Sequence, residues 1–289
     1  MLKKRIVGVL VLKGGIVVQS IGFRRYLPVG SPAIAVEYLN RWGIDEIVLL
    51  DIDATRQGMC PDIAAIPTYA RQCQVPLAVG GGIAEVADIE RIIRAGADKV
   101  VINSAMADNV GLVSEGARLF GNQCLVVSID ARCLGEDRYE AFSHAGTRPL
   151  GISPAELAKR AEGAGAGEIF LTSIDRDGAK SGYDLELIRQ VSEAVRIPVI
   201  VAGGVGHPKH FLAALPFKVA AVAAANFFHY TETSVIVAKA FMHAAGCQLR
   251  LDSHATFEGF GFDDDGRASK LNDAILEKLR FEYIPEEVI

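Results

Sequence analysis

Hydrophobic and polar positions alternate in blocks along this chain. Short runs of branched aliphatic residues are separated by longer stretches in which apolar positions recur with helical spacing. The runs are apolar throughout, which is typical of strands buried on both faces of a parallel sheet. The predicted strands are Ile6–Leu12, Glu46–Ile52, Pro76–Val79, Lys99–Asn103, Leu125–Asp130, Glu168–Ser173, Pro198–Ala202 and Val219–Ala225.

The stretches between these runs predict helices, and each ends near a glycine-rich stop. The clearest are Ser31–Trp42, Val86–Ala95, Val110–Phe120, Pro154–Gly163 and Leu185–Val195. Eight strand–helix units in roughly 245 residues match a (β/α)8 TIM barrel, an α/β fold. An open, doubly wound sheet is the alternative. The units repeat as four plus four, which favours a closed barrel built from two half-barrels.

The repeat is visible in two glycine clusters, Val79–Ile83 and Ala202–Gly206, each of which closes an apolar run. Their central glycines, Gly81 and Gly204, lie 123 positions apart. Glycine-rich turns let backbone N–H groups converge on an anion, and a following helix N-terminus adds partial positive charge. Two copies at equivalent positions predict a substrate that carries a phosphate at each end, or a fold inherited from a protein with such a substrate.

Residues 1–250 account for the barrel, and residues 251–289 form a C-terminal extension with one predicted amphipathic helix at 267–281. Two interpretations of the extension stay open. It is either a tail that packs on the barrel or a docking element for a partner.

Composition narrows the class of protein. The net charge of −5 argues against a nucleic-acid partner. No apolar stretch is long enough for a membrane span, and the N-terminus lacks the features of a secretory signal, so we expect a cytoplasmic protein. Five widely spaced cysteines without a CxxC pair indicate reduced thiols. We expect no metal and no cofactor.

The carboxyl ends of barrel strands form the catalytic face of this fold, and the chemically informative residues of the sequence fall there. The predicted phosphate-binding residues are Gly81, Gly82, Asn103, Asp177, Gly178, Gly203, Gly204 and Asn226. Asp130 ends a wholly apolar strand, so we expect burial to raise its pKa and suit it to acid–base catalysis. A structural aspartate bonded to loop amides is the alternative. His144 follows in a polar segment and is uninformative alone.

Several segments together resemble the cyclase subunit of imidazole glycerol phosphate synthase, the HisF family, over about residues 1–250. The most specific is the run from Leu171 to Gly178, followed by Lys180-Ser181-Gly182-Tyr183-Asp184. The other matching segments are residues 4–6, 79–83, 95–100, 126–131 and 165–183.

The resemblance implies a barrel that takes ammonia from a HisH-like glutaminase docked on its N-terminal face. The ammonia then passes through the barrel to a bis-phosphorylated substrate at the other rim. Asp98 matches the family position that faces the glutaminase. The family's charged ring at the ammonia entrance corresponds to Arg5, Glu46, Lys99 and Glu168.

The catalytic pair departs from the family pattern. HisF proteins carry an aspartate on strand one and another on strand five; this chain keeps Asp130 but has Val11 at the first position. Gln19 stands where a lysine normally follows. One positioned acid or base contributes roughly 10²–10⁴ in rate, so ordinary cyclase activity should be crippled.

Three interpretations follow. The first is an ammonia-conducting barrel that serves a third protein, one that amidates a nucleotide-linked sugar of a bacterial surface polysaccharide. It rests on resemblance to a divergent HisF-like offshoot, which the segment Asp51-Ile52-Asp53-Ala54 favours over ordinary HisF. The second is a working cyclase–lyase of histidine biosynthesis, with Asp51 or Asp53 replacing the missing acid. The third is a non-catalytic assembly subunit whose extension binds the partner.

Overall fold

The computed structural model describes residues 3–230, 233–250, 261–263 and 269. Within these residues the strands, in chain order, are β1 (Arg5–Lys13), β2 (Ile16–Ile21), β3 (Arg25–Gly30), β4 (Glu46–Asp51), β5 (Leu77–Gly80), β6 (Lys99–Ile102), β7 (Leu125–Cys133), β8 (Tyr139–Ser143), β9 (Arg148–Pro149), β10 (Glu168–Ser173), β11 (Val199–Ala202) and β12 (Ala221–Ala224). The C-terminal extension predicted from the sequence lies almost wholly outside the described residues.

The helices of the described part are α1 (Pro32–Arg41), α2 (Ala54–Gln57), α3 (Ile66–Gln72), α4 (Val86–Arg94), α5 (Ser104–Asp108), α6 (Val110–Phe120), α7 (Pro154–Gly163), α8 (Leu185–Ala194), α9 (Pro208–Ala214) and α10 (Ser234–Ala244). Their starts are fixed by local chemistry. Ser153 Oγ accepts the N–H of Glu156 at the start of α7, and Asp184 accepts the N–H of Leu187 at the start of α8. None of the described helices has the length and apolarity that crossing a bilayer demands.

The sheet closes on itself, which confirms the predicted TIM barrel. Parallel pairing runs through β1, β4, β5, β6, β7, β10, β11 and β12, and β12 pairs back to β1. One apolar cluster fills the space between the strands and the helices, and a second fills the barrel interior. The predicted strands and helices match the observed ones to within a few residues at their ends.

Two hairpins were absent from the sequence prediction, and they occupy equivalent places in the two half-barrels. β2 and β3 follow β1, and β8 and β9 follow β7, in each case by antiparallel pairing. The turn between β1 and β2 is Gly14-Gly15, with φ of 58° and 77°. Two consecutive positive φ values define a tight hairpin turn that glycine accepts without strain. The half-barrel repeat therefore extends to the segments that surround the mouth.

Candidate functional site

A cavity of about 340 Å3 opens at the carboxyl ends of the barrel strands. All eight residues predicted to bind phosphate line this cavity, together with Asp130 and Val11. Gln19 is not among the lining residues; its neighbour Ser20 is. The closed barrel thus gathers at one mouth residues that are separated by more than 100 positions in sequence.

The first glycine cluster is held close to neighbouring backbone. Gly81 and Gly82 have φ of 122° and 61°, and a Cβ on Gly82 would lie 1.8 Å from the carbonyl oxygen of Met59. No side chain fits there, so this turn requires glycine. The N–H of Gly82 donates to Thr55 Oγ1 at 3.2 Å, so this amide is paired with a hydroxyl that also lines the cavity.

The second cluster has the same construction. Gly203 and Gly204 have φ of 97° and 102°, and a Cβ on Gly204 would lie 2.2 Å from the carbonyl oxygen of Gly182. The N–H of Gly182 donates to the carbonyl of Gly204 at 2.8 Å. This bond joins the loop after β10 to the loop after β11, so both loops contribute to one wall of the cavity.

Asp130 is buried in the cavity wall on β7. Asn103 donates one Nδ2 hydrogen to Asp130 Oδ2 at 3.0 Å and contacts the carbonyl of Ser128 at 3.2 Å. Burial raises the pKa of Asp130 to about 7, against the hydrogen bond from Asn103, and the negative charge of Asp177 adds to the rise. The expected pKa rise therefore agrees with the structure. A carboxyl group with such a pKa can both give and take a proton near neutrality.

The β2–β3 hairpin is hydrogen-bonded to the loop after β10 and to Asn226 after β12. Ser20 Oγ donates to Asp177 Oδ2 at 2.6 Å, and the N–H of Phe23 donates to the same oxygen at 3.2 Å. Asn226 Nδ2 donates to the carbonyl of Ser20 at 2.6 Å. Burial raises the pKa of Asp177 although these hydrogen bonds lower it. Two residues predicted to grip phosphate thus hold the hairpin across the cavity mouth.

Val11 sits where the half-barrel repeat would place a partner for Asp130. Val11 pairs with Val18 across the first hairpin, as Asp130 pairs with Phe142 across the second. The valine side chain packs with the interior cluster and lines the cavity. An apolar wall therefore faces the substrate space on this side.

Asp51 and Asp53 follow the neighbouring strand and have different environments. Asp51 lines the cavity, and its Oδ1 accepts the N–H groups of Asp53 and Ala54. Burial raises the pKa of Asp51, partly offset by these bonds. Asp53 pairs with Lys13 at 2.8 Å, and the hydrogen bond from that lysine lowers the pKa of Asp53. Of the two, only Asp51 lies at the cavity.

Four charged residues form a closed ring at the opposite end of the barrel. Each is the first residue of its strand. Arg5 contacts Glu46 at 2.5 Å and Glu168 at 2.6 Å, and Lys99 contacts the same carboxylates at 2.8 and 2.7 Å. Both carboxylates therefore have two cationic neighbours, and both cations have two anionic ones.

Within the ring, attraction between opposite charges offsets the effect of burial on the pKa values of Arg5 and Glu168. Burial alone would lower the pKa of Arg5, but the charges of Glu46 and Glu168 raise it above its usual value. Burial likewise tends to raise the pKa of Glu168, and the charges of Arg5 and Lys99 instead hold it below its usual value. The pairing therefore favours the charged forms of Arg5 and Glu168.

An apolar interior separates the ring from the cavity. Phe170, Val9 and Val101 line the cavity floor, and Phe170 and Val101 lie two residues beyond the ring members Glu168 and Lys99. The remaining interior residues are Val7, Val48, Ala78, Val126, Ile200, Ala221 and Ala223. Together these apolar side chains form the layer between the ring and the cavity.

Asp98 lies beside the ring at the N-terminal end of β6 and is exposed. Its Oδ2 accepts the N–H of Leu77 at 2.8 Å, so the side chain is fixed against the start of β5. On the same end, the buried ion pair of Lys239 with Asp45 at 2.6 Å joins α10 to the residue before Glu46. No local pattern in the sequence predicts this ion pair, because its members lie 194 positions apart.

The chain resembles known proteins over most of its length. Residues 5–234 match the family described as "Histidine biosynthesis protein". The chain is 45% identical, over 87% of its own length and 100% of the relative's, to a Bacillus cereus protein named "Imidazole glycerol phosphate synthase subunit HisF". It is 40% identical, over 92% of its own length and 98% of the relative's, to a Vibrio vulnificus protein named "Putative imidazole glycerol phosphate synthase subunit hisF2".

Proposed function

Since the chain belongs to the histidine biosynthesis protein family, as a HisF-like member, we propose that it is an ammonia-receiving barrel whose cyclase chemistry has been lost. In this proposal a HisH-like glutaminase binds the N-terminal face, around Asp98. Ammonia enters at the ring of Arg5, Glu46, Lys99 and Glu168. A third enzyme uses the ammonia to amidate a nucleotide-linked sugar of the bacterial surface.

The observation that carries the proposal is the contrast between an intact ring and an incomplete catalytic pair. Four buried or half-buried charges, from strands far apart in sequence, meet in complete pairing at the entrance. An apolar cluster adjoins the ring, and such surroundings favour neutral ammonia over the ammonium ion because an unpaired charge is costly there. At the other rim, valine stands in place of one proton-transfer group.

The decisive experiment measures cyclisation of the bis-phosphorylated substrate of imidazole glycerol phosphate synthase with excess ammonium salt and no glutaminase. With one of two proton-transfer groups missing, turnover should lie roughly 10²–10⁴-fold below that of an ordinary HisF. The Bacillus cereus relative is the matched reference. Equal turnover by the two proteins would contradict the proposal.

A separate experiment tests the partner. A HisH-like glutaminase should bind the chain with micromolar or better affinity, and Asp98→Lys should weaken the complex at least about tenfold through charge reversal at the docking face. Asp108→Lys, at the opposite rim, is the matched control. Equal effects of the two substitutions would contradict docking on the N-terminal face.

A working cyclase of histidine biosynthesis is the second candidate, and Asp51 is the observation in its favour. Its carboxyl group lines the cavity beside β1, one oxygen has no protein donor among the described residues, and burial raises its pKa. In that case Asp51→Asn should abolish the ammonium-dependent turnover, whereas Asp53→Asn should change it less than about tenfold.

Restoring the family residues offers a complementary test. Val11→Asp places a carboxylate in the cavity and should raise cyclisation by about 10²-fold if the rest of the site is intact. Gln19→Lys should add little on its own, because Gln19 does not line the cavity in this hairpin arrangement. If Val11→Asp with Gln19→Lys still gives no cyclisation, the binding surfaces have diverged as well.

A further inference from the structure

We infer that Lys239 is a positioning residue of the charged ring: through Asp45 it holds Arg5 and Glu46 where the ring closes. The inference rests on the proposed function, which takes the ring as the entrance for ammonia, and it names a residue that maintains that entrance. Three observations carry it: the burial of the Lys239–Asp45 pair, the bonds of Asp45 to β1, and the place of Asp45 in the chain.

The Lys239–Asp45 pair is more deeply buried than the cations of the ring. Side-chain exposure is 1% for Lys239 and 4% for Asp45, against 15% for Arg5 and 14% for Lys99. Lys239 Nζ donates to Asp45 Oδ1 at 2.6 Å. A buried charge that loses its partner is strongly unfavourable. The ammonium group on α10 therefore fixes the position of the Asp45 carboxylate.

Asp45 is bonded to β1 through both its side chain and its backbone. Its Oδ2 accepts the N–H of Ile6 at 2.7 Å, and its own N–H donates to the carbonyl of Ile6 at 3.1 Å. The ladder between β1 and β4 begins at Val7 and Glu46, one residue further along each strand. The carboxylate of Asp45 thus continues the pairing of the two strands at the end where the ring lies.

The bonds of Asp45 act on two members of the ring. Glu46 follows Asp45 directly in the chain, and Arg5 directly precedes Ile6, which Asp45 bonds. Burial tends to lower the pKa of Arg5, and the charges of Glu46, Glu168 and Asp45 raise it. A displaced Asp45 would therefore move Glu46 through the chain and Arg5 through the bonds to Ile6.

Lys239 also determines how strongly Asp45 holds β1. Burial raises the pKa of Asp45, and the charge of Lys239, the N–H of Ile6 and the charge of Arg250 oppose the rise. Of these opposing contributions the charge of Lys239 is the largest. Without it, burial would favour the protonated carboxyl group, and the charge assistance in the bond from Ile6 would be lost.

The same ammonium group holds the end of the barrel chain. Lys239 Nζ donates to the carbonyl oxygen of Arg250 at 2.8 Å. The N–H of Lys4 donates to the carbonyl of Gln248 at 3.1 Å, and Lys4 forms a parallel bridge with Leu249. One lysine thus joins α10, the start of β4 and the last residue before the predicted extension, all beside the ring.

The first test needs neither ammonia nor a glutaminase, so its failure is distinct from a failure of the proposed function. NMR of side-chain carboxyl carbons in the full chain follows the titration of Glu168, which contacts Arg5 and Lys99. Glu168→Gln assigns the signal. In Lys239→Met the ring loosens, so the proton affinity of Glu168 should rise at least about threefold. Lys159→Met, on the exposed side of α7, is the control and should change it less than about twofold.

A paired variant separates position from charge. Lys239→Met combined with Asp45→Ala removes one positive and one negative charge, and it takes away the acceptor of the Ile6 N–H. Replacing a buried ion pair by apolar groups often leaves stability near its original level, so this variant decides the test if Lys239→Met does not fold. The proton affinity of Glu168 should rise at least about twofold here too. A rise in Lys239→Met alone would show that the lysine charge acts directly on Glu168, and it would overturn the inference, as would no rise in either variant.

The second test measures coupling between the pair and the far side of the ring by urea unfolding of the full chain. The paired variant and Lys99→Met are compared singly and combined. If Lys239 holds the ring in place, Lys99→Met should shift the unfolding equilibrium constant at least about fivefold less in the paired variant than in the wild type. Arg94→Met, which removes an exposed ion pair, is the control and should be additive to within about twofold. Additive effects with Lys99→Met would show a pair that stabilises α10 without acting on the ring, contrary to the inference.

Discussion

The two ends of this barrel hold buried charges in opposite ways. At the N-terminal end, two cations and two carboxylates alternate in a ring, and the pKa of Glu168 lies below its usual value. At the C-terminal end, carboxyl groups line a cavity to which the described residues contribute no lysine or arginine, and burial raises the pKa of Asp130 to about 7. The same residue types are thus permanent charges at one end and proton carriers at the other.

The comparison shows that pairing, more than burial, decides what a carboxyl group can do. A carboxylate with two cationic neighbours is fixed in one protonation state and serves structure or passage. A carboxyl group with burial and a negative neighbour can change its state near neutral pH and serve chemistry. Substitutions at the two ends should therefore affect different properties.

The largest expected effect comes from opening the ring. Lys99→Met leaves Glu46 and Glu168 sharing one cation in a buried place, which should cost about 3–5 kcal/mol of the free energy of unfolding. A loss of that size would lower the melting temperature by about 10 °C. Thermal unfolding followed by circular dichroism measures it. Arg94→Met, which removes the exposed pair with Glu90, is the matched control and should cost less than about 1 kcal/mol. Similar losses from Lys99→Met and Arg94→Met would mean that the ring contributes no more stability than an exposed ion pair.

The ring also determines how the stability of the chain should change at acidic pH. The pKa of Glu168 is lower in the folded chain than in the unfolded one, so its stabilising contribution is present above the unfolded value. That contribution is lost as the pH falls through the folded value, below the usual carboxyl range. Lys99→Met should therefore reduce the steepness of acid unfolding, as measured by equilibrium unfolding from pH 5 downward.

The next largest effect comes from Asp130 in the cavity. It changes stability with pH in the direction opposite to that of Glu168. Asp130 has a pKa near 7 when folded and an ordinary one when unfolded, so the unfolded chain releases its proton first. Wild-type stability should fall as the pH rises from about 4 to 7 and then remain low. Asp130→Asn removes this cost and should be more stable than the wild type at pH 8, by up to about 4 kcal/mol, but not at pH 4.

Denaturant unfolding of wild type and Asp130→Asn at the two pH values measures this difference. Asp108→Asn, whose carboxylate is exposed and paired with Arg148, is the control that should show no such pH dependence. A stability difference that is the same at pH 4 and pH 8 would show that Asp130 is ionised throughout and is not a proton carrier.

The contrast between the two ends explains which parts of the site the sequence could predict. The glycine clusters and Asp130 were found from the residues because each stands at the end of its own apolar run. The ring was found only through resemblance, since its members join across the barrel floor and nothing local links Arg5 to Glu168. The rise in the pKa of Asp130 was predictable because the strand before it is apolar apart from Ser128.

The hairpins were missed for a different reason. Gly14-Gly15 between two runs of branched aliphatic residues is the signal of a tight β-turn, but the sequence prediction ends the first strand at Leu12 and places no strand directly after it. The contacts of Asp177 and Asn226 with Ser20 could not be anticipated without that hairpin. His144 carries no sequence signal of its own, and only the pairing of β8 with β7 brings it to the cavity.

The smallest expected effect concerns the hairpin over the cavity. Ser20→Ala removes the hydroxyl that donates to Asp177, a hydrogen bond to a buried charged group, and should cost about 1.5–3 kcal/mol of local stability. Because this hydrogen bond ties the hairpin to the loop after β10, amide exchange should accelerate at residues 16–30 and stay unchanged in the β-strands of the barrel. Ser114→Ala, on the exposed side of α6, is the control. Ser20→Ala with unchanged hairpin exchange would mean that the bonds of Phe23 and Gly22 to Asp177 and of Asn226 to Ser20 are enough to hold the hairpin.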